Sequence, residues 1–203
     1  MEPAVPFVGL TGGMGAGKST ALAALERLGA AVLSSDAVVH ELYSSDERLR
    51  EAVVERWGPG VAPAGVVDRS AVAERAFARE EDRAWLEGLV WPLVGARVAS
   101  WLGDVRAGRS SGGLLPRAAV VEVPLLFEAG LENLYDATIA VVSDERVRRD
   151  RAAERGHALA DERAARQLSQ EEKARRATFV VRNDGTEEEL ERGLSAVLDK
   201  LER

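Results

Sequence analysis

Glycine, lysine and serine near the start of the chain have the spacing of a phosphate-binding loop. The segment GLTGGMGAGKST, residues 9–20, fits Gly-x-x-x-x-Gly-Lys-Ser from Gly12 to Ser19. Glycines let a backbone turn tightly and bring its N–H groups against phosphate oxygens, and the start of a helix adds the positive end of its dipole. In this pattern, the P-loop, the lysine bridges the β- and γ-phosphates and the serine hydroxyl is a ligand of Mg²⁺.

The segments on either side of this loop are those that a P-loop requires. An apolar run at residues 5–10 is typical of a buried strand, and apolar residues recur at helical spacing from Lys18 until Gly29. This context disfavours a chance match within an ordinary glycine-rich turn. We therefore predict a nucleoside triphosphate site, with Ser19 on the metal, that is formed by Gly13, Gly15, Ala16, Gly17, Lys18, Ser19 and Thr20.

Two acidic residues in or after predicted strands are candidates for the chemistry on that phosphate. Asp36 follows the strand predicted at residues 30–33. Its carboxylate could accept a proton from an attacking hydroxyl or could cap the helix predicted at 37–43, and the spacing leaves both roles open. Glu122 lies within the apolar run at 118–123. It could contact Mg²⁺ through water, or it could face solvent at the edge of a sheet.

Arginines are concentrated between residues 145 and 176, where the composition is typical of charged helices. Guanidinium groups bind phosphate oxygens and offset the charge that develops on them, so this segment could form a lid over the phosphates. For any one of these arginines, a solvated helix face is the alternative. His40 and His157 are the only histidines, too few for a histidine-based metal site.

The pattern along the chain alternates strands with helices. Strands are predicted at residues 5–10, 30–33, 118–123, 136–142 and 179–181. Helices are predicted at 18–28, at 37–43, between 46 and 57, from 70 to 105 with an interruption at Pro92, and from Thr186, which forms a capping box with Glu189. This alternation predicts a parallel sheet covered by helices on both faces, with the ligand at the carboxyl ends of the strands.

Composition and charge limit the classes of protein to which this chain can belong. It has 203 residues, 46% hydrophobic and 30% charged, and a formal net charge of -7. This acidic balance argues against a protein that coats nucleic acid or an anionic membrane. The chain has no cysteine, so disulfides and thiolate metal sites are excluded. Without a signal peptide or a long apolar span, we expect a cytoplasmic, single-domain monomer with neither nucleic-acid nor membrane partners.

These residues resemble those of the dephospho-CoA kinases, which catalyse the last step of coenzyme A biosynthesis. The matching features run in the family's order across nearly the whole chain: GLTGGMGAGKST, Asp36, Asp68-Arg69, Trp85-Leu86, Trp91-Pro92-Leu93, VPLLFE at 123–128, Arg151 and Arg155, Arg163 with Gln167, and Asn183-Asp184-Gly185-Thr186. The resemblance implies a three-layer α/β fold of the P-loop nucleotide-kinase type with a five-stranded parallel sheet. It also implies a nucleotide-binding core (1–44, 114–144 and 177–203), a helical acceptor-binding region (45–113) and an arginine-rich lid (145–176).

The activity implied by the resemblance is transfer of the γ-phosphate of ATP, with Mg²⁺, to the 3′-hydroxyl of the dephospho-CoA ribose, which gives coenzyme A and ADP. Lys18 and Arg151 would stabilise the transferring phosphoryl group, and Asp36 would be the base. Asn183 would contact the nucleotide, and Glu122 the metal. The acceptor would be bound by Asp36 together with Arg69, Pro124, Leu125, Leu126, Phe127, Glu128 and Arg155.

Four positions depart from the family's pattern. Ser34 stands where the family commonly has an aspartate, and His40 where it commonly has a basic residue. Trp91 replaces the histidine of a His-Pro dipeptide, and Arg182 replaces an aspartate. These departures keep open another small-molecule or nucleotide kinase of the same fold, and a non-catalytic ATP-binding regulator. A GTPase switch would carry an Asn-Lys-x-Asp motif, which the chain lacks.

Overall fold

The computed structural model describes residues 5–109, 114–147 and 167–202. The described residues form two compact units. One unit comprises the described residues of Met1–Ser34 and Leu102–Arg203, and the other comprises Ser35–Trp101. The first is called the sheet unit and the second the helical unit. The functional division of the chain into core, acceptor-binding region and lid stays a prediction.

A single parallel sheet organises the sheet unit. Its strands are β1 (Phe7–Gly12), β2 (Ala31–Ser34), β3 (Ala119–Glu122), β4 (Ala137–Val142) and β5 (Phe179–Arg182), in the order β2-β3-β1-β4-β5. All neighbouring strands are parallel, so their carboxyl ends meet at one edge of the sheet. All five predicted strands are confirmed, with ends within two residues of the prediction.

The α-helices of the described residues lie between these strands along the chain, except for the last one, which follows β5. In chain order they are α1 (Lys18–Arg27), α2 (Ser35–Ser45), α3 (Glu47–Trp57), α4 (Arg69–Ala78), α5 (Glu80–Arg106), α6 (Gln170–Arg176) and α7 (Glu187–Leu201). The capping box predicted at the start of α7 is confirmed, because Thr186 and Glu189 exchange side-chain and backbone hydrogen bonds. None of the helices in the described ranges combines the length and apolar content that a membrane span requires.

The core of the sheet unit lies between the sheet and helices α1 and α7. Every residue of β1 is buried, and Leu10 is fully enclosed. Leu25 from α1 and Leu194 from α7 complete the same cluster. Because the P-loop joins β1 to α1, both of its ends are held by this core.

The helical unit has a smaller core of its own. Val53 and Val72 are buried in it together with two valines from the connection between α3 and α4. The rings of Trp57 and Trp85 pack edge to face against this cluster with their centroids 5.1 Å apart. The helix predicted between residues 46 and 57 is therefore confirmed as α3, whose buried Val53 belongs to this core.

The predicted helix interruption at Pro92 is wrong. α5 runs without a break through Pro92, and the break falls at Arg79, whose backbone is extended (φ -143, ψ 140) between α4 and α5. A proline removes one backbone hydrogen bond and crowds the preceding turn, which costs about 3 kcal/mol. The remaining turns of a helix that extends from Glu80 to Arg106 outweigh this local cost.

Candidate active site

The loop between β1 and α1 has a backbone that only glycine adopts easily. Gly15 and Gly17 have φ angles of 74° and 88°, in the left-handed region. Gly12 approaches β4 so closely that an added Cβ would lie 2.5 Å from the carbonyl oxygen of Val141. The glycines of the motif therefore follow from the turn and from close packing on the neighbouring strand.

The start of α1 is suited to an anion. Gly17 is the N-cap residue and supplies no side-chain cap that would compete with a bound anion. The positive end of the helix dipole also lies at this terminus. Lys18 folds back over the loop, where its Nζ donates to the carbonyl oxygens of Gly12 and Gly13 at 3.1 and 3.3 Å. This arrangement holds an ammonium group beside the backbone amides that would receive phosphate oxygens.

Asn183 connects the end of β5 to the P-loop. Its side chain is 5% exposed, and Nδ2 donates to the carbonyl oxygen of Ala16 at 2.9 Å. Its backbone N–H donates to Val142, and its carbonyl oxygen accepts from the hydroxyl of Ser143. The sequence predicts a nucleotide contact for Asn183, whereas the side-chain contact given by the structure is to the loop itself.

A cavity of about 660 Å³ opens beside the P-loop at the carboxyl ends of β4 and β5. Its walls include Gly13, Met14, Asp144, Gln167, Gln170 and Arg182. Gln167 also supports the loop directly, since its Oε1 accepts from the backbone N–H of Met14 at 3.2 Å. The space adjoins the phosphate-binding loop and carries both acidic and basic groups.

Glu122 lies on β3, an interior strand between β2 and β1. Its side chain is partly buried, and its Oε2 accepts a hydrogen bond from the Ser34 hydroxyl at 3.1 Å. The alternative of a carboxylate at a solvent-exposed sheet edge is therefore wrong. At position 34 the family's common aspartate would set two carboxylates against each other, whereas the serine donates to Glu122. In the described ranges no group of three or more His, Cys, Asp or Glu side chains could hold a metal ion alone.

Asp36 is exposed and lies inside α2, which begins at Ser35. It is therefore a first-turn acid that complements the helix dipole, and the alternative of an N-cap residue is wrong. Within the described ranges, no hydrogen bond involves its carboxylate. Asp36 follows the last residue of β2, Ser34, by two positions. Its carboxylate is chemically able to accept a proton.

The segment Pro124–Glu128 follows β3 and is largely enclosed. Leu126 and Phe127 are 0% and 2% exposed, so their side chains pack inside the sheet unit. The Pro124 carbonyl oxygen accepts from the Thr11 hydroxyl at 3.3 Å and from Lys173 Nζ at 2.7 Å. Only the backbone and the less enclosed side chains of this segment are left to meet a substrate.

Lys173 on α6 has no exposed side-chain surface and was not found by sequence reasoning. Its Nζ lies 2.9 Å from Glu128 Oε1, which also accepts from the Leu168 N–H at 2.8 Å. Burial lowers the pKa of Lys173, and Glu128 opposes that shift. A lysine in a charged helix carries no sequence signal of burial, so only the fold reveals this pair.

Arg69 lies at the start of α4, in the helical unit, where Asp68 caps the helix. Its guanidinium group contacts Nδ1 of His40 at 2.6 Å. Burial raises the pKa of Tyr43, and the positive charge of Arg69 opposes that shift. Trp91, in the same unit, is 52% exposed. Arg69 and His40 therefore form one polar cluster. His40 is one of the four positions that depart from the family's pattern.

Two predicted site residues, Arg151 and Arg155, lie outside the described residues, as does most of the predicted lid. Arg182, a departure from the family's pattern, is exposed and forms an ion pair with Asp184 at 3.2 Å. The Asp184 carboxylate also accepts from the backbone N–H of Asp144, and this bond lowers the pKa of Asp184. Arg182 also borders the cavity beside the P-loop.

The five-stranded parallel sheet, with a P-loop after its central strand, defines the class of P-loop kinases. The family model described as dephospho-CoA kinase matches residues 6–189. A dephospho-CoA kinase of Deinococcus radiodurans is 39% identical over 198 residues, which cover 96% of this chain and 92% of that protein. This chain belongs to the dephospho-CoA kinase family.

Solved structures agree with this fold. The protein TT1252 from Thermus thermophilus matches with a TM-score of 0.78 and 33% identity, over 98% of each chain. A dephospho-CoA kinase from Campylobacter jejuni matches with a TM-score of 0.63 over 97% of each chain; at 20% identity this likeness concerns the fold alone. The predicted α/β fold class is confirmed.

Proposed function

We propose that this chain phosphorylates dephospho-CoA, transferring the γ-phosphoryl group of ATP to the 3′-hydroxyl of the ribose. The observation that carries the proposal is the family match over residues 6–189, which includes both the P-loop and the Pro124–Glu128 segment. ADP leaves as O3′ forms its bond to the γ-phosphorus, and the hydroxyl proton passes to a base. Coenzyme A is the product.

The P-loop would bind the ATP phosphates through backbone amides. The left-handed glycines and the side-chain-free N-cap at Gly17 fit this role, because they leave amides at the helix start for phosphate oxygens. Lys18 would neutralise charge on the β- and γ-phosphates. The cavity bordered by Gln167 and Arg182 supports binding of the nucleoside part of ATP in the sheet unit.

Mg²⁺ would be held by the Ser19 hydroxyl and, through water, by Glu122. Hydroxyl and carboxylate oxygens are the hard ligands that this ion prefers, and few protein ligands are needed where phosphates and waters complete its shell. When bound, the ion offsets negative charge on the phosphates. The hydrogen bond that Glu122 accepts from the Ser34 hydroxyl supports this role, because it restrains the orientation of the carboxylate.

Asp36 would accept the proton of the 3′-hydroxyl. Its exposed carboxylate, which has no hydrogen bond from the described residues, fits a general base that must be free for substrate. Arg151 would stabilise the transferring phosphoryl group. Arg69 and Arg155 would bind anionic groups of the acceptor, since guanidinium groups pair well with phosphate oxygens.

A coupled assay that follows ADP formation with ATP, Mg²⁺ and dephospho-CoA tests this proposal. We expect turnover that Lys18→Ala abolishes and that Asp36→Asn lowers about 10²–10⁴-fold with little change in ATP binding, because a positioned base contributes that much. Glu47→Gln is the matched control, since Glu47 is an exposed first-turn acid of the next helix. ATP binding without transfer to dephospho-CoA, together with transfer to another nucleoside or nucleotide, would instead support a different kinase of this fold.

A further inference from the structure

Lys173 is a charged side chain enclosed in the sheet unit, and burial of an ammonium group is costly unless it is paired. Its two close partners are the Pro124 carbonyl oxygen at 2.7 Å and Glu128 Oε1 at 2.9 Å. Both belong to the short segment between β3 and β4 that carries the VPLLFE motif. A single buried cation therefore contacts both ends of this segment.

The same segment is tied to the strand that leads into the P-loop. The Pro124 carbonyl oxygen receives a second hydrogen bond from Thr11, a buried residue of β1. Donors from β1 and from α6 thus converge on one carbonyl oxygen. These two hydrogen bonds together set the position of the Pro124 carbonyl group relative to the P-loop.

Residues just before α6 extend this connection. Glu128 Oε1 accepts from the N–H of Leu168, and the neighbouring Gln167 accepts from the N–H of Met14 in the P-loop. The stretch from Gln167 to Lys173 therefore contacts the P-loop at one end and Pro124–Glu128 at the other. Stability alone does not explain a buried pair here, because apolar residues of similar volume often replace such pairs without loss.

We propose that Lys173 is a positioning residue for phosphoryl transfer, which holds the segment Pro124–Glu128 in register with the P-loop. This inference rests on the proposed function, in which that segment faces dephospho-CoA. Without the Lys173 ammonium group, the Glu128 carboxylate would lose the cation that fixes its position. Loss of the Lys173 hydrogen bond would also release the Pro124 carbonyl group.

The test compares the variants Lys173→Met and Glu128→Gln, and the double variant that combines them, with the wild-type protein. Lys200→Met is the matched control, because Lys200 is an exposed lysine on α7. The measurements are KM and kcat for each substrate, calorimetric binding of dephospho-CoA, and Tm. The double variant removes both buried charges, so it is expected to fold even where Lys173→Met alone does not.

We expect Lys173→Met to lower kcat/KM for dephospho-CoA about 10- to 100-fold. We expect the same loss in the double variant, although its Tm should lie near that of the wild type. KM for ATP should change less than about threefold. Recovery of both Tm and kcat/KM in the double variant, or equal losses for both substrates, would overturn the inference and leave a purely structural pair. Absence of turnover in the wild type would count against the proposed function alone, and the calorimetric affinities of the variants would then decide the role of Lys173.

Discussion

Replacing Asn183 by alanine tests how the P-loop is held. Asn183 Nδ2 donates to the carbonyl oxygen of Ala16, which belongs to a fully buried residue of the loop. Alanine would remove this donor and leave a buried carbonyl oxygen without that partner. A buried acceptor deprived of its hydrogen bond costs about 1–3 kcal/mol.

That cost should appear in both stability and ATP affinity. For a chain of this size, about 1–3 kcal/mol corresponds to a Tm decrease of roughly 2–12 °C. If the loop loses its binding geometry to the same extent, ATP affinity falls about 5- to 150-fold. We expect KM for dephospho-CoA to change little, because the contact is made to the donor loop.

Thermal unfolding and ATP titration of the same preparation measure the two effects together. Asn133→Ala is the matched control, since Asn133 is the other asparagine of the chain and is exposed. A lower ATP affinity with unchanged Tm would refute the reasoning and favour direct contact between Asn183 and the nucleotide. A lower Tm with unchanged ATP affinity would also refute it, because the hydrogen bond would then stabilise the fold without shaping the ATP site.

Two further predictions concern packing and alkaline stability. Gly12→Ala should lower Tm by several degrees or prevent folding, because its Cβ would lie 2.5 Å from the backbone oxygen of Val141. Gly60→Ala is the control, since a Cβ there would have no atom within 4 Å, and thermal melts should show an unchanged Tm. Burial raises the pKa of Tyr135 to about 12. As the pH rises from about 10 to about 12, Tyr135 therefore loses its proton in the unfolded chain before it does so in the folded protein, and the free energy of unfolding should fall. Urea unfolding at several pH values should show a shallower decline for Tyr135→Phe, and an equal slope in both proteins would contradict the prediction.

Local patterns in the sequence were sufficient for the elements that carry the nucleotide site. The P-loop spacing, the buried strand before it and the amphipathic helix after it are all features of neighbouring residues. The capping box at Thr186 is equally local. Such signals are readable because helix and strand periodicities and turn chemistry act over a few residues.

The predicted helix interruption was wrong because the structure of a long helix outweighs one local preference. Pro92 is a strong local signal for a break, yet α5 continues through it and the break falls at Arg79. Asp36, for which the spacing left the roles of base and helix cap open, lies within α2, which begins at Ser35. At Pro92, the turns of the long helix on either side outweigh the preference of one residue.

The sequence by itself determined the phosphate-binding loop, the alternation of strands and helices, and through family resemblance the expected reaction. Only the tertiary structure decided which side chains support that loop and the segment Pro124–Glu128. Asn183 and Ala16 are 167 positions apart, Met14 and Gln167 are 153 apart, and Lys173 and Pro124 are 49 apart. No periodicity or spacing rule relates residues at such distances, because they meet only when parallel strands bring their carboxyl ends to one edge of the sheet.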